Sequence, residues 1–475
     1  MNTPTFDVNG AQVSRLEDFR LLTGDGKFAS DWNLPGQLHG HFLRADRAHA
    51  RIVSIDSSAA KNYPGVQAVL TGEDAVRAGY VQPVSFFNFP GKHGAKPLLP
   101  RWPVLAHERV RFAGEAVAFV VADSAHMAQD ACALINVVYQ ALPCVVDGAA
   151  ALAPAAPLLH QHIPGNLPFE CEAGDAAATA AAFAAASHIT RLRLASSRVV
   201  PSPMEPRACL VAFDATSESY TAHACVQGAN MLRMQLSGYT RVPEDKLKII
   251  ARDVGGGFGC RSMGYPEYCV AMLAARATGR PVKWISTRSE AFLSDNHGRG
   301  SEIDGELALD ASGKFLAMRL DWIAEVGAYM TPPAAAATIR NPITCFTGAY
   351  RIPAIYGRWR VALTNAAPIG NFRGAGRPDI AYVVERLVHQ AAAETGMDPV
   401  ELRRRNTIPA SAFPYKTPMG AVYENADFAG LMDKAMAAAD WDGYAARAVA
   451  SARAGKLRGD AGRGPGVRRA RGIRH

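Results

Sequence analysis

Hydrophobic positions in the first third of the chain change period several times, and each change predicts an element. Residues 34–45 (LPGQLHGHFLRA) alternate apolar and polar side chains, as a half-buried strand does. Over 50–75 the pattern reads strand, short helix, a turn at Pro64-Gly65, strand, then a helix starting at Thr71 or Glu73. A loop rich in Pro and Gly occupies 82–103. Residues 110–123 (VRFAGEAVAFVVAD) then read as a turn into a buried strand. A helix capped by Asp123 or Ser124 follows and runs into a strand ending near Pro143. With an N-terminal arm over 15–30, these elements form a first mixed unit, 15–147, and 148–165 has the composition of a linker.

A second, larger unit occupies 166–459, its elements starting near Gly174-Asp175. Strands are predicted at 187–201, 208–214, 219–227 and 246–254, with a helix at 229–240 between the last two. The helix at 266–280 ends at a glycine cap, and three strands lie within 282–329 with a hairpin signal at 310–313. An amphipathic helix covers 378–397. A short helix, capped by Asp398 with Pro399 in its first turn, covers 398–406, and a last one covers 426–441. Helices and strands mixed without strict alternation predict an α+β fold.

Composition adds little until charge is located. The 475 residues are 49% hydrophobic and 20% charged, as in soluble globular chains, and the length predicts two to four domains. The net charge is +8. Residues 447–475 hold nine basic residues against one acid, Asp460, so this tail carries the whole excess and the remainder is neutral. No nucleic-acid partner is therefore expected. The basic tail over 460–475 is almost wholly Gly, Arg, Ala and Pro. It reads either as a disordered segment or as a GC-rich gene translated out of frame after Gly459. The eight cysteines form no C-x-x-C pair, so no iron–sulfur cluster or zinc site is expected within the chain. No secretory signal and no membrane-spanning run is visible, and a cytoplasmic location is expected.

Candidate chemistry sits in two loops. The strand 246–254 enters Gly255-Gly256-Gly257-Phe258-Gly259, and a helix follows. Consecutive glycines expose backbone N–H groups to a phosphate or oxyanion, or else only make a tight turn. The loop lacks the Gly-Lys-Ser/Thr ending of a nucleotide-triphosphate loop, and Cys260 stands where a G-x-G-x-x-G motif needs its last Gly. The second loop, Asn371-Phe372-Arg373-Gly374-Ala375-Gly376-Arg377-Pro378, precedes the 378–397 helix. Its Arg suits an anion at a helix N-terminus, or backbone carbonyls. Met204-Glu205-Pro206-Arg207 suggests a buried Glu–Arg pair, and Gln227 ends a strand. His39 and His41 share one face of a strand without a third ligand.

Taken together, these segments resemble the xanthine dehydrogenase/aldehyde oxidase family. GQLHGHFLRADRAHARIVSID, PGVQAVLTGED and RFAGEAVAFVVADSAHMAQDACALINVVYQALPCVVD are similar to its a/b hammerhead domain. PSPMEPRA, VQG, VGGGFG, GAYRIP and FRGAGRPDIAYVVERLVHQAAAETGMDPVELRRRN resemble its first molybdopterin-binding region. The resemblance covers about 14–459, in family order. It implies a molybdenum hydroxylase large subunit: a hammerhead-like domain followed by an incomplete molybdopterin-binding domain.

By the same resemblance, Gln227 matches the Gln that hydrogen-bonds an oxygen ligand of molybdenum, and Phe258 and Gly259, after Gly256 and Gly257, match the loop whose amides approach that oxygen and the pterin. Arg373, followed by Gly374, matches the Arg of the second loop at the metal centre. The metal is held by the pterin dithiolene, with no side-chain ligand. Ser262 stands where purine oxidisers carry a substrate-binding Glu, and Ala375 where they carry an aromatic. The Cys that marks carbon monoxide dehydrogenases after the Arg is absent. An aldehyde or N-heteroaromatic substrate is the expectation. The family's general-base Glu has no counterpart, so no catalytic side chain is assigned, and a truncated chain with little activity of its own, or a non-catalytic subunit-binding chain, is the alternative. The cofactor the resemblance implies is molybdopterin, with its cytosine dinucleotide as one form. Without Fe-S or FAD motifs, electrons would leave through separate Fe-S and FAD subunits, and a dimer of heterotrimers is the assembly expected.

Overall fold

The computed structural model describes residues 15–82 and 89–456; the basic tail lies outside them. The alternating run at 34–45 is the strand Leu38–Arg44, near the middle of a seven-stranded sheet. Along that sheet the order is Leu247–Ile250, Ser219–Ala224, Ala208–Asp214, Val282–Ile285, Leu38–Arg44, Ala116–Ala122 and Val66–Thr71. Leu38–Arg44 pairs antiparallel with Ala116–Ala122 and parallel with Val282–Ile285, where Leu38 faces Val282 and His39 faces Lys283. Strands from 15–147 and from beyond 166 thus share one sheet.

Every residue of Ala116–Ala122 is buried, as its unbroken apolar run requires. Ala118, Val120 and Ala122 pack on Ala128, Ala131 and Cys132 of the helix Ala125–Ala133. Phe119 and Val121 face the other way, into a core with Tyr268 and Trp284. Gly40 lies against the Phe119 ring, and a Cβ there would sit 1.9 Å from its Cζ, so this strand position admits no side chain. The helix Ala125–Ala133 is capped by Ser124, whose hydroxyl accepts the Met127 N–H at 3.2 Å.

A five-stranded sheet has the order His188–Ser196, Ser301–Leu309, Phe315–Gly327, Ala354–Leu363 and Phe169–Gly174. The long helix Arg377–Thr395 lays Ile380, Val383, Val384, Leu387, Val388 and Ala391 on it, the three-and-four spacing of an apolar stripe. Asp398 caps the following helix Pro399–Asn406 by accepting the Val400 and Glu401 N–H groups.

Several elements were not predicted. The helix Ala176–Ala184 is almost all alanine and so shows no amphipathic period, though Asp175 caps it. The strand Ala354–Leu363 alternates buried and part-exposed residues, with Arg358 and Arg360 turned towards carboxylates of neighbouring strands. Within 148–165, Leu159 and Ile163 are fully buried in the main core. Buried Asn166 ties this stretch together, its amide bonding the Leu159 N–H, Ala151 O and Pro157 O at 2.9–3.0 Å.

Candidate functional site around two glycine loops

The glycine loop leaves the edge of the seven-stranded sheet and turns through left-handed backbone. Gly256 has φ 102° and Gly259 φ 94°. Phe258 also has a positive φ, 49°, which costs a residue with a side chain, and the residue is 40% exposed. Glu205 pins the start of the loop: one carboxylate oxygen accepts the Gly255 N–H at 2.7 Å, the other the Ala29 N–H at 3.1 Å. Burial pushes the Glu205 carboxyl pKa up, and these two donors offset part of that push.

Gln227 reaches the other end of the loop. The Gly259 N–H donates to its Oε1 at 2.7 Å. A backbone N–H requires an acceptor, so this bond fixes which end of the carboxamide is oxygen and leaves the NH2 group facing elsewhere. Among the described residues that NH2 group has no partner, nor do the amides of Gly256, Gly257 and Phe258. The Gly259 amide, expected to face a ligand, already serves Gln227. A Cβ on Gly257 would lie 2.2 Å from Gln227 Cδ, so only glycine lets the carboxamide approach.

The second loop packs directly on the first. A Cβ on Gly259 would lie 2.9 Å from Asn371 Cβ. Ser262 donates its hydroxyl to Gly259 O at 2.6 Å, and Asn371 Nδ2 reaches that hydroxyl at 3.5 Å. Ser262, expected at the substrate, thus has its hydroxyl directed into the loop backbone. The Ala375 N–H donates to Phe372 O at 2.6 Å, and Asn341 holds Ala375 O at 2.8 Å. Ala375, like Gly374 and Gly376, has left-handed backbone. Arg373 is exposed, and among the described residues no hydrogen bond links its guanidinium to Gln227.

One expectation needs correction. Glu205 and Arg207 do not pair with each other. Arg207 is fully buried and donates to Glu267 at 2.6 and 3.1 Å, to Asp295 at 2.5 Å and to the Ser294 hydroxyl at 2.7 Å. Glu205 instead serves the Gly255 and Ala29 N–H groups. Arg261 also meets Asp295, at 3.2 Å, and bonds Glu205 O, while Arg44 meets Glu267 at 2.8 Å and Glu290 at 2.7 Å. Burial alone would raise the Glu267 carboxyl, but Arg207 and Arg44 hold it at about 2. This network anchors both sides of the glycine loop. The one sequence signal for it was Glu267, an acid in the apolar run PEYCVAMLAA.

The N-terminal arm braces the same loop from behind. Arg20 grips Asp253 with two bonds of 2.6 Å, and the Lys27 N–H adds a third of 2.6 Å. Lys283 then holds Ser30 O, Trp32 O and Asn33 Oδ1 at 2.7–3.0 Å.

Two glycine loops in contact, the first holding an oriented carboxamide and carrying backbone N–H groups unpartnered among the described residues, thus sit on an α+β scaffold whose two largest sheets have seven and five strands. The molybdopterin cofactor-binding domain model matches residues 159–407, and the a/b hammerhead domain model of aldehyde oxidase and xanthine dehydrogenase matches 23–143. The chain belongs to the aldehyde oxidase/xanthine dehydrogenase family. It is 34% identical over 476 residues to the carbon monoxide dehydrogenase large chain of Hydrogenophaga pseudoflava, covering 95% of this chain and 58% of that one. It is 33% identical to the nicotine 6-hydroxylase large subunit of Paenarthrobacter nicotinovorans, covering 96% and 55%. The crystal structure of quinoline 2-oxidoreductase from Pseudomonas putida 86 superposes with a TM-score of 0.84 at 32% identity, over 93% of this chain and 55% of that one. The chain therefore spans little more than half the length of these relatives.

Proposed function

We propose that this chain holds a molybdenum–pterin cofactor, in the cytosine dinucleotide form, for the oxidative hydroxylation of an aldehyde or N-heteroaromatic. The observation that carries the proposal is the Gln227 carboxamide, locked by Gly259 against the loop, with its NH2 donor and the Gly256, Gly257 and Phe258 amides all unpartnered among the described residues. Donors so fixed suit the oxygen atoms of such a group. The cradle fits: Gly257 leaves no room for a side chain, and no side-chain ligand to the metal is called for. When bound, the cofactor would supply the two-electron oxidation of the substrate carbon. The chain's own residues would orient it: Gln227 and the loop amides as donors, Arg373 with Gly374 from the second loop. Ala375 and Ser262 would leave space beside it. Gly374 follows Arg373 where a carbon monoxide dehydrogenase is expected to carry Cys, which favours the aldehyde or heteroaromatic class. Nicotine and quinoline, in the names of two relatives, are N-heteroaromatics.

No residue is assigned as the proton acceptor, and separate Fe-S and FAD subunits would take up the electrons. Among the described residues no helix is long and apolar enough to cross a membrane. The test is expression in a host that makes the cofactor, followed by molybdenum and pterin analysis of the purified chain and dye-linked oxidation assays with aldehydes and N-heteroaromatics. Near-stoichiometric metal and pterin are expected. Chain that is folded but free of both would sink the proposal. Cofactor without turnover, even after Fe-S and FAD subunits are added, would favour the second reading, a truncated or non-catalytic subunit-binding chain.

A further inference from the structure

Arg299 stands in left-handed backbone, φ 64°, between Gly298 and Gly300. A residue with a side chain keeps that conformation only when its surroundings demand it. Three contacts do so here. One guanidinium nitrogen meets Asp379 at 3.1 Å, and another donates to Arg373 O at 2.9 Å. The guanidinium carbon lies 4.9 Å from the centroid of the Phe372 ring. Asp379 is buried in the first turn of the helix Arg377–Thr395, where a negative charge is favoured, and it also accepts the Ser196 hydroxyl. Gly298 lets Phe372 come close, since a Cβ there would sit 2.3 Å from Phe372 Cβ.

We propose that Arg299 is a positioning residue, a two-armed clamp anchored on Asp379 that fixes the 371–377 backbone from which Arg373 projects. Its importance for the cofactor rests on the function proposed above; the clamp itself does not. Ser196 ends one strand of the five-stranded sheet, Arg299 precedes the next, and Asp379 starts the covering helix, so the second loop is tied to that sheet while Asn371 touches the first loop. A planar fork can serve Asp379 and Arg373 O together; a lysine ammonium, a single point of charge, cannot hold both in that geometry.

The experiment is hydrogen–deuterium exchange of the full chain, read by mass spectrometry over 371–377, in wild type, Arg299→Ala, Arg299→Lys and Asp379→Asn. Exchange there is expected to rise at least tenfold in all three variants while the strands Ser301–Leu309 and Phe315–Gly327 keep their protection. Methylguanidinium added to Arg299→Ala should restore protection, and methylammonium should not. Unchanged exchange over 371–377 in Arg299→Ala overturns the proposal, as does full protection in Arg299→Lys. If Arg299→Ala does not fold, Asp379→Asn, which keeps its size, decides the matter by the same criterion. Pterin content measured on the same samples separates the two ideas: wild-type chain without pterin removes the functional reading, while the exchange data still judge the clamp.

Discussion

Because a Cβ on Gly257 would enter the Gln227 carboxamide at 2.2 Å, Gly257→Ala is expected to swing Gln227 aside and cut retained pterin at least tenfold, with thermal stability nearly unchanged. Gln227→Glu is the finer probe. It keeps an oxygen for the Gly259 N–H but exchanges the NH2 donor for a second acceptor, so pterin content should fall as well. Wild-type pterin content in Gln227→Glu would mean the donor is not used. Away from the cradle, Arg207→Met strips the central cation from Glu267 and Asp295, and buried carboxylates left short of partners cost about 3–5 kcal/mol. Denaturant unfolding should show a loss of that order, and a change below about 1 kcal/mol would mean that Arg44 and Arg261 suffice. The glycine loop was legible in the sequence because glycines have few other uses in such a row. The partners of Glu205 and Arg207 were not, because Gly255, Glu267 and Asp295 lie 50, 60 and 88 residues further on and only the tertiary fold brings them near.

Elements with a clear period or cap were readable: Leu38–Arg44 by alternation, Ala116–Ala122 by its apolar run, Pro399–Asn406 by Asp398 and Pro399. Where composition hides the period, as in Ala176–Ala184, the sequence is silent. The N-terminal arm shows another limit, since its glycine turns said nothing of what it braces. Asp253, held down at about 2 by Arg20 and the Lys27 N–H, fastens that arm behind the glycine loop. Asp253→Asn is expected to free the arm, so that trypsin cuts after Arg20 and Lys27 several-fold faster than in wild type. Equal cleavage rates would show that the Lys283 contacts alone hold it.

At the scale of the molecule, a buried polar seam joins the first unit to the second. Tyr329 donates to Glu115 at 2.8 Å, and Arg111 reaches Tyr329 and Leu159 O, both at 3.2 Å. Trp102 stacks on Tyr329 at 5.3 Å. His160 meets Ala328 O at 2.9 Å beside them, and burial, with Arg111, pushes its pKa down to about 3. The unfolded chain takes up that proton near pH 6.5, so the folded state keeps its full stability above 6.5 and loses it as pH falls towards 3, at up to about 1.4 kcal/mol per pH unit. Glu115, whose carboxyl burial pushes up, works in the opposite sense, losing stability as pH rises from about 4.5 upward. His160→Gln, which can keep the bond to Ala328 O, should flatten the fall in stability between pH 6.5 and 4; an unchanged slope would place the acid sensitivity elsewhere.

The parallel pairing of Leu38–Arg44 with Val282–Ile285 has a consequence for how the chain can be divided. Cut within 148–165, it would yield two fragments, each with a bare strand edge in the middle of what had been one sheet. Each fragment would then be the other's ligand, with its native partner lying across the cut, and the two would regain their shape by finding each other in solution rather than by folding apart.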